Sequence, residues 1–385
     1  MTRAVPFAAP LVTEDAVEAV TDVLRSGWIG TGRIAQLAEQ ELADYLGVPA
    51  AMVVSSGTAA LHLALSALGV GPGDEVIVPT VTFTATAAAV VHAGATPVLV
   101  DVEEDTLLID VAAVRRALTP RTRAVLAVHF TGRMADVRAL RALCDAHGLL
   151  LVEDSAHALP AERDGVGPGI LGDAAAFSFF VTKPLTSAEG GLLVLGPAKA
   201  MERARVLAQH GIDRDAYARH REFGRSPHYD VVAAGHKYNM PDTAAALLRT
   251  QVAKADQWYE RRRSIAATYH TQLPAAQGLQ LPAEDSEGNT SSWYLYVVQL
   301  PSGLDRDAVA EELARRGVGT SVHFRPLHQM SYYSRTFGVR REDFPRAEAA
   351  FPRLLSLPIF PAMTDEDTAH VVTEFTSLLK ELGKE

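Results

Sequence analysis

One lysine, Lys183, stands where a charged side chain is not expected, between an aromatic apolar run and a glycine-closed turn in residues 177–191, FSFFVTKPLTSAEGG. An apolar setting disfavours the ammonium form of lysine and so makes a nucleophilic amine available. The ordinary alternative is a lysine on a surface loop, with its stem packed and its charge in water. Lys183 is therefore a candidate nucleophile if other reactive side chains meet it at the same place.

Two adjacent acids, Glu153 and Asp154, end the apolar run LLLVED, and His157 follows three residues later. Carboxylates directly after an apolar strand are costly to bury unless each has a partner. That partner could be an arginine or the backbone of the next turn. The functional alternative is a protonated heterocyclic nitrogen, because a carboxylate beside it keeps the ring cationic and effective as an electron sink.

Two further strand ends carry candidate binding residues. Ser56, Gly57 and Thr58 lie between an apolar run and a helical pattern in VVSSGTAALHLAL, where free N–H groups and the helix dipole can bind a phosphate. The same residues could instead serve only as a helix N-cap. Phe83 follows the run VIVPT and could pack in the core or stack on a flat cofactor.

Seven apolar runs position these residues, and helical patterns alternate with them. The runs are AMVVSS, EVIVPT, TPVLVDV, AVLAVHF, LLLVED, AAAFSFF and GLLVLG, within residues 51–196. Runs that are apolar on both faces and alternate with helices predict an α/β fold with a mostly parallel sheet covered by helices. Ligands bind at the carboxyl ends of such strands, so the candidate residues should meet there.

The rest of the chain predicts a second, smaller domain. Residues 205–240 are rich in His, Arg, Tyr and Gly without a clean period, which predicts a long ordered loop. One connecting helix is predicted over residues 242–273. It leads to a strand in SSWYLYVVQL, a helix in DRDAVAEELARRG and a last helix from about residue 364. We predict a large domain over residues 1–250 and a smaller α+β domain over residues 251–385.

Composition and charge exclude several classes of protein. The net charge of −10 opposes nonspecific binding to nucleic acid. Cys144 is the only cysteine, which excludes a disulfide within the chain, and no Cys/His spacing typical of zinc is present, so no metal is predicted. Neither a signal-type segment nor an apolar run of ~18 residues is found. We expect a cytoplasmic protein that binds small molecules, with no membrane or nucleic-acid partner.

Seven segments, in order, resemble the DegT/DnrJ/EryC1/StrS family of nucleotide-sugar aminotransferases, which use pyridoxal 5′-phosphate (PLP). They are SGWIGTG, SSGTAALHLAL, GPGDEVIVPTVTFTATAAAVVHAGATPVLVDV, VEDSAHA, FSFFVTKPLTSAEGG, HKYNMPD and LSLPIFPAMT, and they cover nearly the whole chain. GHKYNM and GTSVHFRPLH are most similar to the 4-amino-4-deoxy-arabinose type. The resemblance implies the type I (aspartate aminotransferase) fold, with a seven-stranded sheet, PLP as cofactor and pyridoxamine 5′-phosphate (PMP) as its aminated form.

Carried onto matching positions, the resemblance assigns catalytic roles to three residues. Lys183 matches the lysine that binds PLP covalently and later moves a proton between the substrate and cofactor carbons. Asp154 matches the partner of the pyridinium nitrogen, and His157 stands where the family has Gln or His near the ring and its phenolic oxygen. Phe83 stands where the family stacks an aromatic residue on the ring, often Trp or Tyr, and it lacks their polar atom.

The resemblance also implies how phosphate groups and a partner subunit are bound. Gly57, Thr58 and Ser178 match ligands of the PLP phosphate. Asn239 matches a residue that reaches the phosphate of the neighbouring subunit, which implies a homodimer with shared active sites. Candidates for the pyrophosphate and base of a nucleotide-linked sugar are Lys237, His323 and Arg325, with surface charges on loops as the alternative for each.

The implied reaction moves an amino group from L-glutamate to a nucleotide-linked keto-sugar. We predict amination at C4 of a dTDP-4-keto-6-deoxyhexose for a secondary metabolite, with a C3 aminotransferase on a dTDP-3-keto-deoxysugar as the alternative. A different class is a non-catalytic PLP-sugar-binding regulator, which would be expected to lack Lys183 or to carry a DNA-binding segment. Ala188 replaces the first Gly of the common GEGG, with little expected effect. Lys183 argues against the branch that removes a sugar hydroxyl, which has His there.

Overall fold

All seven apolar runs form strands of one central sheet in the computed structural model, which describes residues 3–213, 228–273 and 278–382. The strands are β1 Ala51–Val54, β2 Glu75–Pro79, β3 Thr96–Val100, β4 Thr122–Val128, β5 Leu150–Asp154, β7 Ala174–Ser178 and β8 Gly191–Leu195. Their order in the sheet is β1-β8-β7-β5-β4-β2-β3, and β8 is the strand that runs antiparallel to its neighbours. The predicted, mostly parallel, seven-stranded sheet is confirmed. A two-residue strand, β6 Glu162–Arg163, pairs outside this sheet with β9 Asn289–Thr290.

Helices cover both faces of the sheet. The helices of this part are α1 Glu14–Ser26, α2 Arg33–Leu46, α3 Gly57–Ala67, α4 Thr84–His92, α5 Val111–Ala117, α6 Val137–His147 and α7 Ala198–Ala208. In β2, Val76 and Val78 pack in one hydrophobic cluster, with α3 and α4, while Ile77 packs in another, with α5 and α6. Helix α3 is buried almost all round and packs against β7 and β8.

The C-terminal third contains a hydrophobic cluster of its own. Its members include Ile265, Tyr269, Leu313 and Phe375, and Val5 joins them from the N-terminal segment. The helices and strands from residue 242 onward are α8 Asp242–Val252, α9 Ala255–Gln272, β10 Tyr296–Gln299, α10 Arg306–Arg315, α11 Ser331–Phe337, α12 Pro345–Ala350, β11 Leu354–Leu357 and α13 Asp365–Leu382. Strand β10 pairs antiparallel with β11. The division at residue 250 stays a prediction. No helix in the described ranges is both long and apolar enough to cross a membrane.

Two expectations about the chain between sheet and C-terminal third are wrong. The single helix predicted over residues 242–273 is two helices, and the break lies at Lys254, whose φ of −114° and ψ of 7° are not helical. The ammonium of Lys254 pairs with Asp15 and donates to the Thr13 hydroxyl at the start of α1, so a tertiary contact interrupts the helical pattern. The predicted loop over residues 205–240 begins later, because α7 extends to Ala208, and residues 214–227 lie outside the described residues.

A buried aspartate, Asp242, connects two of the family-like segments. Its carboxylate accepts N–H groups from Gly32 at 2.8 Å, Ala35 at 3.0 Å and Ile34 at 3.2 Å, at the start of α2. The first turn of a helix has unpaired N–H groups, and Asp242 satisfies them from another helix. This contact holds SGWIGTG against the beginning of α8.

Replacing Asp242 with alanine should lower the free energy of unfolding by about 1.5–3 kcal/mol, because three N–H groups, those of Gly32 and Ala35 in buried hydrogen bonds, lose a charged acceptor. The urea midpoint of unfolding measures this. Asp22→Ala is the matched control, since Asp22 is an exposed residue of α1 in a loose pair with Arg25. Equal midpoints for the two variants would contradict the capping role of Asp242.

Candidate active site

The strand-end residues converge on a cavity of about 350 Å³ at the carboxyl edge of the sheet. Four turns, after β1, β2, β5 and β7, form its walls, and residues of the C-terminal third close it. The predicted site residues that line the cavity are Gly57, Thr58, Phe83, Asp154, Ser178, Lys183 and His323. A larger cavity of about 770 Å³ between α1, α2 and α8 contains none of them. The chemistry predicted from the sequence therefore concentrates in the smaller cavity.

Asp154 is a buried carboxylate held in a fixed orientation. Its Oδ2 accepts a hydrogen bond from the Thr86 hydroxyl at 2.7 Å, and its Oδ1 accepts the N–H of Ala156 at 3.2 Å. Burial raises the pKa of Asp154, and these hydrogen bonds, with the charge of Lys183, act in the opposite direction. Such a carboxylate gains most from a cationic partner inside the cavity.

Glu153 points to the opposite side of β5, because successive strand residues alternate between faces. Its Oε1 accepts N–H groups from Gly172 at 2.9 Å and Gly169 at 3.2 Å. Its Oε2 lies 2.7 Å from Nε2 of His129, and Nδ1 of the same ring accepts the N–H of Ala135. Nε2 therefore carries the proton. Of the two adjacent acids, Glu153 is satisfied by the protein itself and Asp154 faces the cavity.

The two acids should respond differently to amidation. Glu153→Gln should lower the free energy of unfolding by about 1.5–3 kcal/mol, because a buried charged acceptor of three hydrogen bonds is lost. Its kcat should stay close to that of the wild type, since Glu153 does not line the cavity. Urea midpoints and steady-state rates on the same preparations measure both. A large loss of kcat without loss of stability would contradict this separation.

Lys183 lies on the turn that leaves β7, half-buried, with its backbone N–H donated to the Phe180 carbonyl at 2.9 Å. Its Nζ lies 4.4 Å from the centre of the Tyr294 ring, within cation–π distance. The alternative of an ordinary surface lysine does not describe this position. The amine is held at the cavity wall, beside the carboxylate of Asp154.

Two histidines near Lys183 are kept neutral. Burial, with the charge of Lys183, lowers the pKa of His323 to about 4 and that of His157 well below its usual range. His157 is buried against Tyr294, with ring centres 4.5 Å apart, and its Nδ1 has no hydrogen-bond partner in the described part of the chain. A neutral imidazole with a free nitrogen suits a polar atom of a bound group. His323 donates or accepts through Nδ1 with the Ser356 hydroxyl at 2.8 Å.

The turn before α3 combines the two alternatives considered for it. Ser56 caps the helix, since its Oγ accepts the N–H of Ala59 at 3.1 Å. Gly57 and Thr58 follow at the helix N-terminus and line the cavity. A Cβ on Gly57 would lie 3.0 Å from Cβ of Ser178, so glycine lets β7 approach. The result is a helix N-terminus with the Ser178 side chain beside it, an arrangement that suits a phosphate.

Phe83 is not a core residue. It is 56% exposed, it lines the cavity, and its ring lies 5.8 Å from that of Phe324. An exposed aromatic ring at the wall of a cavity is suited to stacking on a flat ligand. The core-packing alternative is therefore wrong.

Ala188 departs from the family pattern at some conformational cost. Its φ of 67° lies in the left-handed region, where glycine is favoured. The little effect expected from the sequence therefore needs correction, because a side chain here strains the turn after Lys183. The next glycines have a packing role, since a Cβ on Gly191 would lie 2.5 Å from the carbonyl of Ser56.

Four predicted site residues do not line this cavity in the same chain: His157, which packs against the lining residue Tyr294, and Asn239, Lys237 and Arg325. Asn239 donates through Nδ2 to the Thr31 hydroxyl and lines a separate cavity of about 150 Å³. Its Oδ1 is buried and has no partner among the described residues. Lys237 is exposed, and Arg325, also exposed, donates to the Gln329 carbonyl at 3.0 Å. For Asn239, contact with a neighbouring subunit stays a prediction.

The structure adds residues that the sequence did not single out. Tyr294 and Phe324 come from the C-terminal third and line the cavity, and Thr86 holds Asp154. Tyr294 lies in SSWYLYVVQL, a segment whose sequence indicates a strand and gives no sign of a site residue. Thr86 follows Phe83 in TFTATAA, where a hydroxyl after a strand end was the available signal.

Residues 10–376 match the DegT/DnrJ/EryC1/StrS aminotransferase family. The chain belongs to this family. The spore coat polysaccharide biosynthesis protein SpsC of Bacillus subtilis (strain 168) is 40% identical over 379 residues, which is 97% of this chain and 97% of SpsC. The family predicted from seven sequence segments is thus confirmed. The 4-amino-4-deoxy-arabinose subtype is not specifically supported.

Solved structures with the same fold include two aminotransferases. Spr1654 from Streptococcus pneumoniae, described as a sugar aminotransferase and solved in its PMP form, has a TM-score of 0.91 and 32% identity. The match covers 98% of this chain and 99% of Spr1654. The aminotransferase TlmJ from Streptoalloteichus hindustanus has a TM-score of 0.90 and 36% identity, covering 98% and 100%. The predicted type I fold, the PLP cofactor and the class of PLP-dependent sugar aminotransferase are confirmed.

Proposed function

We propose that the protein transfers the amino group of L-glutamate to C4 of a nucleotide-linked 4-keto-6-deoxy sugar. The observation that carries the amino transfer is the meeting of Lys183, Asp154 and the phosphate-type turn at Gly57 in one cavity. C4 is favoured by the likeness of GHKYNM and GTSVHFRPLH to the 4-amino-4-deoxy-arabinose type. We further propose dTDP as the nucleotide and the cytoplasm as the location.

The cavity fits PLP by the chemistry of its donors. The N-terminus of α3, with Ser178, suits the phosphate, and the exposed ring of Phe83 suits one face of the pyridine. The carboxylate of Asp154 suits the ring nitrogen, and the free Nδ1 of His157 suits a polar atom of the ring. When bound here, PLP supplies an electron sink for negative charge at the α-carbon of the amino donor.

Lys183 performs the proton transfers in this arrangement. Its free amine would accept the proton from Cα of glutamate, hold it at Nζ and return it later in the transfer. His157 and His323 have lowered pKa values and stay neutral, so neither adds a positive charge beside the amine of Lys183. The Tyr294 ring, 4.4 Å from Nζ, restricts where the amine can swing.

The acceptor site and the dimer belong to the same proposal. His323, at the cavity wall, contacts the sugar nucleotide, and Lys237 and Arg325 contact it from the rim or from a second subunit. The match of Asn239 to the family's HKYNM segment supports a homodimer in which the side-chain amide N–H of this residue completes the phosphate site of the neighbour. A regulator without catalysis is disfavoured, because Lys183 is present and lies in the cavity.

The experiment is a transfer reaction with ¹⁵N-glutamate and a panel of 3-keto and 4-keto nucleotide sugars. We expect ¹⁵N in one 4-amino product, found by mass spectrometry and placed at C4 by NMR. Amination at C3 would instead support the alternative, and a panel without product would contradict the proposal. Lys183→Arg is the control for transfer that does not depend on the site.

A further inference from the structure

Arg262 of α9 is a buried cation. It is 2% exposed, and its Nε donates to the Ser292 carbonyl at 2.9 Å. Within residues 3–213, 228–273 and 278–382, its buried Nη1 has no hydrogen-bond partner and no carboxylate acts on the side chain. A buried charge without a partner is strongly unfavourable. The Ser292 contact explains the position of the side chain and leaves its charge uncompensated.

The guanidinium keeps its charge at neutral pH. Burial lowers the pKa of Arg262 to about 10, which is still well above 7. The titratable groups that act on it are Tyr45 and Tyr259, and burial raises the pKa of both, so both are neutral. Neither phenol can therefore supply the missing negative charge.

Arg262 borders a second, small cavity directly behind Lys183. This cavity has a volume of about 30 Å³, comparable with one water molecule or one small ion. Its polar or charged lining residues are Thr182, Lys183, Thr186, Gln251, Arg262 and Tyr294. Thr182, Lys183 and Tyr294 also line the main cavity, so the two spaces share part of one wall.

The lining of the small cavity is positive. It contains two basic side chains, Lys183 and Arg262, and no Asp or Glu among its described residues. Both polar groups of Gln251 are engaged, since Nε2 donates to the Leu11 carbonyl and Oε1 accepts the N–H of Thr186. A neutral water would leave this positive charge uncompensated, whereas an anion would form a charge-assisted hydrogen bond with Nη1.

We propose that the small cavity binds one monovalent anion between Arg262 and Lys183. The negative charge can come from a halide in solution or from a carboxylate of the amino donor. The second source rests on the proposed function, because it requires an amino acid at Lys183. In both cases Arg262 is a binding residue on the far side of Lys183 from the main cavity.

The halide source is tested on the wild-type holoenzyme without any substitution. Tm is measured in sodium chloride and in sodium gluconate at equal ionic strength. If chloride binds the folded protein, Tm should rise by about 2–5 °C at high chloride relative to gluconate. Arg262→Met should remove this difference. Arg263→Met is the matched control, since Arg263 is the exposed neighbour on the same helix, paired with Glu260, and should keep the wild-type response.

The carboxylate source is tested by the first half-reaction in gluconate buffer, followed by cofactor absorbance. Arg262→Met should raise the half-saturating concentration of glutamate by about tenfold or more, as expected for loss of one charge-assisted contact. Reaction with propylamine, which has no carboxylate, should be unchanged. Chloride should compete with glutamate in the wild type.

The outcomes are distinguishable. A chloride-dependent Tm supports the halide source, and a glutamate-specific loss supports the carboxylate source. If Tm is the same in both salts and glutamate binding is unaffected by Arg262→Met, the cavity holds water only and the proposal is overturned. Should Arg262→Met fail to fold, Arg262→Lys replaces it, and the wild-type chloride measurement stands alone. Failure of glutamate to react at all would sink the proposed function, while the chloride measurement would still decide the anion site.

Discussion

Replacing Lys183 with arginine lowers kcat by at least ~10³-fold, because arginine cannot release a proton to act as nucleophile or base at neutral pH. The change keeps a positive charge and a long side chain beside the Tyr294 ring. A loss of activity therefore reports the missing amine chemistry and not a missing charge. The loss of rate is measured by the single-turnover reaction with glutamate, followed by cofactor absorbance.

Lys199→Arg is the matched control for this substitution. Lys199 is exposed in the first turn of α7, and it does not line the cavity. The variant should react like the wild type. If Lys183→Arg retains more than a tenth of the wild-type rate, Lys183 does not carry the proton transfers.

Asp154→Asn should lower kcat by about 10²–10³-fold and, in the same protein without cofactor, raise Tm at pH 7. Activity falls because the ring nitrogen loses the carboxylate that keeps it protonated, an electrostatic contribution of the kind worth this much in enzymes. The stability gain follows from burial, which raises the pKa of Asp154 in the folded protein. The charged carboxylate is thus less favourable in the folded state than in the unfolded one.

The sign of this effect fixes its pH dependence. A group with a raised folded pKa contributes stability that is fully present below its unfolded pKa of about 3.9 and is lost as pH rises through the folded pKa. The Tm advantage of Asp154→Asn should therefore be present at pH 7 and disappear toward pH 4. Glu153→Gln is the control, since it removes a satisfied carboxylate and should lower Tm at pH 7. A lower Tm for Asp154→Asn than for wild type at pH 7 would contradict this account.

The sheet and much of the cavity were predictable because they depend on local sequence. A strand buried on both faces must be apolar throughout, so seven runs were enough to predict seven strands. The carboxyl ends of parallel strands then place Gly57, Phe83, Asp154 and Lys183 at one edge. The separate roles of Glu153 and Asp154 follow from strand alternation, once the partners of each face are known.

The remaining features depend on contacts between distant parts of the chain. Tyr294 contacts Lys183 from the C-terminal third, and Arg262 lines a small cavity together with it. Nothing local in the segments of Tyr294 and Arg262 indicates this. The break between α8 and α9 lies at Lys254, whose ammonium contacts Asp15, 239 residues earlier in the chain. Side-chain encounters of this kind are set by tertiary packing and are invisible to periodicity.

Lys183 is the residue at which we expect the cofactor to be covalently attached. The most direct measurement is borohydride reduction of the yellow holoenzyme, followed by proteolysis and mass spectrometry of every lysine-containing peptide. We predict that the reduced phosphopyridoxyl group is found on Lys183, and that it is absent in Lys183→Arg. A label on any of the other five lysines, or a yellow protein that takes no label at Lys183, would contradict this assignment.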